Sequence, residues 1–98
     1  MTQSDPLEAF IDESLRRSSK KEYPATVFRR MRRDYGTVQA IERLVIDGDV
    51  QSGFKALLKL GMRDWTIEAA VLKFPDRFSK SAVECAEFRL RVAQDGSL

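Results

Sequence analysis

Apolar residues recur along this chain at spacings of three and four, in short bursts separated by capping and turn residues. That spacing predicts amphipathic helices and no convincing strand. The first burst is Leu7, Phe10, Ile11 and Leu15, preceded by Ser4-Asp5-Pro6. Asp5 is placed to cap this helix, Pro6 to take its first position, and Glu8 to complete a capping box. The helix is expected to end near Ser18 or Ser19, with the short link 19–22 making its successor a packed neighbour. The second burst lies within YPATVFRRMRRDYG at 23–36. Pro24 fits a first helical position and Gly36 a left-handed exit. Val27, Phe28, Met31 and Tyr35 share one face, read here as core. Arg29, Arg30 and Arg33 point the other way, with Arg32 on the flank.

Thr37 is an acceptable cap for a third helix reaching about Asp47, with Val38, Ile41, Leu44 and Val45 inward. Asp47-Gly48-Asp49 reads as a turn, because the further ligands of a calcium loop do not follow. Ser52 caps a fourth helix carrying Phe54, Leu57, Leu58 and Leu60, closed by Gly61. Thr66 or Asp64 caps a fifth, with Ile67, Ala70, Val71 and Phe74 before Pro75 stops it, and Trp65 is placed to staple against Ala70. The last helix is expected near Ser81, with Glu84 as its capping-box partner, and runs through Val83, Ala86, Leu90 and Ala93 towards a frayed 94–97 tail. The expected fold is all-α: a compact orthogonal array of five or six short helices forming a single domain over 1–98, its core over about 5–93.

Composition narrows the function classes. With 43% apolar and 33% charged residues, the chain has the balance of a folded domain and not of a disordered tail. Histidine is absent, which removes Ser-His, Cys-His and histidine-metal chemistry, and a single cysteine, Cys85, excludes an intrachain disulfide. Cys85 lies among small apolar residues of the last helix and reads as a small hydrophobe. Asp47 and Asp49, with Asp34 and Glu42 as neighbours, are the nearest approach to an acidic metal or acid–base site, and turn chemistry explains the pair as well. No glycine-rich phosphate loop is present. The reading is therefore non-enzymatic, with no cofactor or metal. The acidic N-terminus lacks the features of a signal peptide and no stretch is long enough to span a membrane, so a cytoplasmic location with Cys85 reduced is expected.

The stretches YP–F–M–YG at 23–36, AIERLV at 40–45, SGFKALLKLG at 52–61, DWTIEAAVL at 64–72 and FSKSAVECAEFRL at 78–90 resemble a small all-helical bacterial module of unassigned function. The similarity spans 23–90 and departs at Trp65, where the module tends to have leucine, and at Met62-Arg63, where arginine follows the glycine directly. It implies a helical fold in a bacterial or phage setting and transfers no reaction.

Charge distribution carries the remaining lead. The net charge is only +2, yet eight bases and the single acid Glu22 lie between Arg16 and Arg33, after fifteen residues holding four acids and no base. Arg16, Arg17, Lys20, Lys21, Arg29, Arg30, Arg32 and Arg33 are the candidate partner-binding residues. An acidic protein surface is the favoured partner, with Tyr23 or Trp65 as edge anchors, and the domain would act as an adaptor or regulator of a larger complex. The alternative is DNA or RNA binding, through phosphate contacts from these same bases or through a helix-turn-helix-like segment at 38–60 presenting Gln51, Ser52, Lys55 and Lys59 to a groove. Homodimerisation through a Met62–Trp65 patch is a further arrangement for a domain of this size.

Overall fold

A computed structural model of the chain describes residues 5–46 and 51–94. Among the described residues six α-helices follow one another: α1 (Pro6–Lys20), α2 (Thr26–Tyr35), α3 (Thr37–Ile46), α4 (Gln51–Lys59), α5 (Ile67–Lys73) and α6 (Lys80–Gln94), with 3-10 turns at Arg63–Trp65 and Pro75–Arg77. Among the described residues there is no strand, and the all-α expectation holds. The Asp47–Asp49 turn, the Ser4 position and the 95–97 tail lie outside the described residues.

Helix α1 begins as its sequence dictates. Asp5 Oδ1 accepts from the Leu7 amide at 2.9 Å, and Pro6 occupies the first helical position. Glu8 does not close a capping box; its carboxylate is taken by Arg32 and Thr37. The helix ends in a Schellman turn: the Glu22 amide donates to Ser19 O at 2.9 Å and the Tyr23 amide to Ser18 O at 2.8 Å. The residue that must be left-handed there is Glu22, with φ 67°. A side chain in that region is strained, and an acid beside a helix C-terminus opposes the backbone dipole. Glu22→Gly is therefore expected to raise stability by about 0.5–1 kcal/mol, after allowing for the greater freedom glycine gives the unfolded chain. A rise in the urea midpoint at unchanged slope checks this.

The second helix starts at Thr26 and not at Pro24, because Ala25 is itself left-handed (φ 53°) and breaks the run. At its other end Gly36 (φ 89°, ψ 163°) occupies backbone space reserved for glycine. Its amide closes α2 on Arg32 O and its carbonyl opens α3 by accepting from Ala40, so one residue turns the chain between two helices. Gly61 (φ 75°) ends the fourth helix in a second Schellman turn, with Met62 donating to Leu57 O at 2.9 Å.

The core joins Leu7, Ile11 and Leu15 of α1 to Ala40, Ile41 and Val45 of α3, Ala70 and Val71 of α5, and Ala82 and Ala86 of α6. The fully buried alanines on α3, α5 and α6 remove side-chain bulk, so those helices can approach closely. From α2 only Phe28 is buried. Val27 and Tyr35 are exposed, which corrects their reading as core; Tyr35 instead lies under the Arg43 guanidinium, 4.3 Å from its ring centre. Met62 is buried, and Trp65 stacks on Phe10 with ring centres 4.9 Å apart. These two complete the packing and do not form an exposed patch.

Thr66 Oγ1 accepts from the Ala69 amide and caps α5 as expected. The last helix starts earlier than expected. Its cap is Ser79, whose hydroxyl accepts from the Ala82 amide at 3.1 Å, and not Ser81 with Glu84. The acid that completes this cap comes from α3: Glu42 accepts from the Ser79 amide at 2.6 Å and from its hydroxyl at 3.1 Å. That engagement takes Glu42 away from the acidic set considered with Asp34, and Asp34 pairs with Arg33.

Candidate functional site

The eight candidate bases sit on two adjacent helices and fall into groups with different duties. Glu8, Asp12, Leu15 and Ser19 succeed one another at four-, three- and four-residue spacing and so form one flank of α1. Arginines of α2 lie along that flank. Arg32 pairs with Glu8 and, at 2.9 Å, with Asp12, and its Nε donates to Thr37 Oγ1 at 2.9 Å. Arg29 donates to Ser19 Oγ at 2.9 Å, to Pro24 O at 2.6 Å and to Leu15 O at 3.4 Å. These two guanidiniums fasten α1 to α2, Arg32 from a half-buried position.

Arg17 works on the opposite flank of α1. Its guanidinium lies 4.3 Å from the Trp65 ring centre, and Trp65 is stacked on Phe10. Glu13, one turn earlier, accepts from Arg17 at 2.7 Å and from both Arg16 Nε and Nη2. The hydrogen bonds from Arg16 and Arg17 draw the Glu13 carboxyl down to about 2, so it stays ionised and offsets one of the two charges. Arg16, Arg17, Lys20 and Lys21 line a shallow recess with Gly61, Met62 and Trp65. Arg16 and Lys20, four residues apart, form the crest between the two flanks.

The remaining bases face solvent. Arg33 is highly exposed with Asp34 at 3.1 Å, and Arg30 is exposed with no ion pair among the described residues. The sequence-predicted set is thus brought together on one α1–α2 unit but does not act as one patch. Arg29 and Arg32 are structural. Lys20, Lys21, Arg30 and Arg33, with Arg16 partly offset by Glu13, remain to meet a partner. Lys55 and Lys59 are exposed one turn apart on α4. The side chains of Gln51 and Ser52, and the turn between α3 and α4, lie outside the described residues.

Two buried polar features are missing from the sequence reading. Glu68 of α5 is 2% exposed and pairs with Arg89 of α6 at 3.1 Å; Arg89 also donates to Leu44 O at 3.2 Å. Burial pushes the Glu68 carboxyl above its ordinary value, with Arg89 pulling the other way. Their separation of 21 residues leaves no local signal. The second feature is Ser14, buried on the apolar side of α1, whose hydroxyl has no hydrogen-bond partner among the described residues. Here the signal was present: Ser14 continues the Leu7–Ile11 spacing into the core. Among the described residues no helix is long and apolar enough to cross a membrane, and no three acidic or cysteine side chains are grouped to hold a metal ion. Comparison with protein-family models, with curated proteins and with solved structures finds no match to this chain.

Proposed function

We propose that this protein is a non-enzymatic adaptor that docks an acidic protein surface through the solvent-facing bases of α1 and α2, and so regulates a larger complex. The observation that carries this reading is the division of labour among the arginines. Arg29 and Arg32 hold the two helices to each other, so Lys20, Lys21, Arg30 and Arg33 are offered from a framework already ordered before binding. Preordering lowers the entropy lost on association, and guanidiniums suit the planar carboxylates of an acidic partner. DNA or RNA binding is the second reading, supported by the exposed Lys55–Lys59 pair on α4.

One variant set separates the two. Lys20, Lys21, Arg30 and Arg33 are replaced together by glutamate, leaving Arg29 and Arg32 in place so that the α1–α2 joint survives. The native chain is expected to recover a defined complex from cell extract that resists nuclease, and the variant, equally helical by circular dichroism, is expected to lose it. Disappearance of the complex on nuclease treatment, with duplex or single-strand binding that weakens steeply with salt, would transfer the function to nucleic acid.

A further inference from the structure

Helix α6 packs on α3 and α5, and its inward side is Ala82, Ala86 and Leu90. Phe88 stands about 200° round the helix from both Ala86 and Leu90 and therefore points outward. It is 60% exposed, more than any other large apolar side chain among the described residues. The same outer side carries Ser81 and the half-buried Val92. Beside them run two charges of opposite sign, Glu84 and Arg91, about two turns apart. Both are exposed, and neither has an ion pair among the described residues. Glu87 stands about 100° round from Phe88, clear of this seam.

Lone exposed apolar residues are ordinary. What sets this face apart is its symmetry. Glu84 and Arg91 are equally distant from a point between residues 87 and 88, and Phe88 sits beside that point. We propose that α6 pairs antiparallel with α6 of a second copy of this chain, about a two-fold axis passing next to Phe88. A two-fold interface must be complementary to itself, and this face meets that condition. The two Phe88 rings meet at the axis, where each covers exposed area of the other. Glu84 of each copy then faces the partner's Arg91, so the copies together form two identical ion pairs. Charge fixes the direction: a parallel pairing would set Glu84 against Glu84 and Arg91 against Arg91. One helix against another reaches at most the low end of specific interfaces, about 1,200 Å² in total. A reversible dimer is therefore expected, with a dissociation constant on the order of 100 µM. This face stands apart from the docking reading, whose bases lie at α1 and α2.

Sedimentation equilibrium of the full-length protein, with a thiol reductant present and at loadings up to about 1 mM, reads the association. The native chain is expected to pass from monomer to dimer across this range. Phe88→Ser should weaken association about tenfold or more, as loss of a central aromatic does. Glu84→Arg and Arg91→Glu should each weaken it by about the same factor, because each sets like charges together. The double variant restores both pairs in reverse and should return to within about threefold of the native constant. Each changed residue is exposed, and thermal unfolding verifies that the variants are folded. A native chain that stays monomeric at about 1 mM would overturn the pairing and leave the Phe88 face to a partner of another kind. Association indifferent to Phe88→Ser, single reversals that associate as the native chain does, or a double reversal no better than the singles would overturn it as well.

Discussion

Arg89→Ala is expected to lower stability by about 3–5 kcal/mol at neutral pH, the loss typical of stranding one member of a buried ion pair. Glu68 is almost wholly enclosed, and its charge is compensated by the Arg89 guanidinium at 3.1 Å. The same substitution removes the bond from Arg89 to Leu44 O, which ties α6 to the end of α3. The pH dependence distinguishes a stranded charge from lost packing. Burial already raises the folded-state carboxyl above its ordinary value of 4.5, and removing the arginine raises it further. A carboxyl raised on folding binds its proton more tightly in the folded state, so stability falls as pH climbs from the ordinary value through the raised one. The charge-dependent part of the Arg89→Ala deficit should therefore be small near pH 4.5, grow as pH rises through the raised value and be complete above it, on top of a pH-independent loss from the missing Leu44 bond. Adding Glu68→Gln should flatten that profile and return part of the stability at neutral pH. Urea unfolding at several pH values is the measurement; a deficit that stays constant with pH would mean that Glu68 is not carrying a buried charge.

Phe28→Ala and Val27→Ala, adjacent on α2, are expected to differ by more than 2 kcal/mol. Phe28 is the buried residue by which α2 joins the core, although it also lines a solvent-reachable recess with Ile11, Leu44 and Leu57. Its truncation should cost about 3 kcal/mol, towards the lower end for a buried aromatic. Val27 is 56% exposed. Its truncation should change stability by less than about 0.5 kcal/mol, and alanine's better helix propensity offsets part of even that. Equal effects in denaturant unfolding would show that α2 is rotated relative to the arrangement described above.

The Val27 assignment shows where helical periodicity stops being informative. A spacing of three and four selects a stripe, but several stripes can be drawn on α2. The one the fold uses runs through Phe28, Met31 and Arg32, with a charged residue where the apolar pattern suggested Tyr35. Arg32 can turn inward because α1 supplies Glu8 and Asp12 to receive it, and those partners lie outside any window around α2. Caps built from nearby residues were legible: Asp5 for α1, Gly61 for α4 and Thr66 for α5. The start of α6 was not, because Ser81–Glu84 satisfies the local rule while the acid actually used comes from another helix. The candidate surface was legible as a concentration of charge. Its division into fastening and exposed arginines depends on which carboxylates the packing brings alongside.

The Glu42 cap has a consequence for the order in which the chain acquires its structure. A helix whose first turn is completed by neighbouring residues can begin as soon as that segment exists. Here the acid facing the Ser79 amide lies 37 residues earlier, on α3. Nucleation is the unfavourable step of helix formation, and for this terminal segment it gains its capping carboxylate only after α3 has formed and docked. The start of α6, already capped locally by the Ser79 hydroxyl, is thus further stabilised only once α3 is docked. Coupling of this kind between residues 37 apart favours all-or-none assembly over stepwise growth.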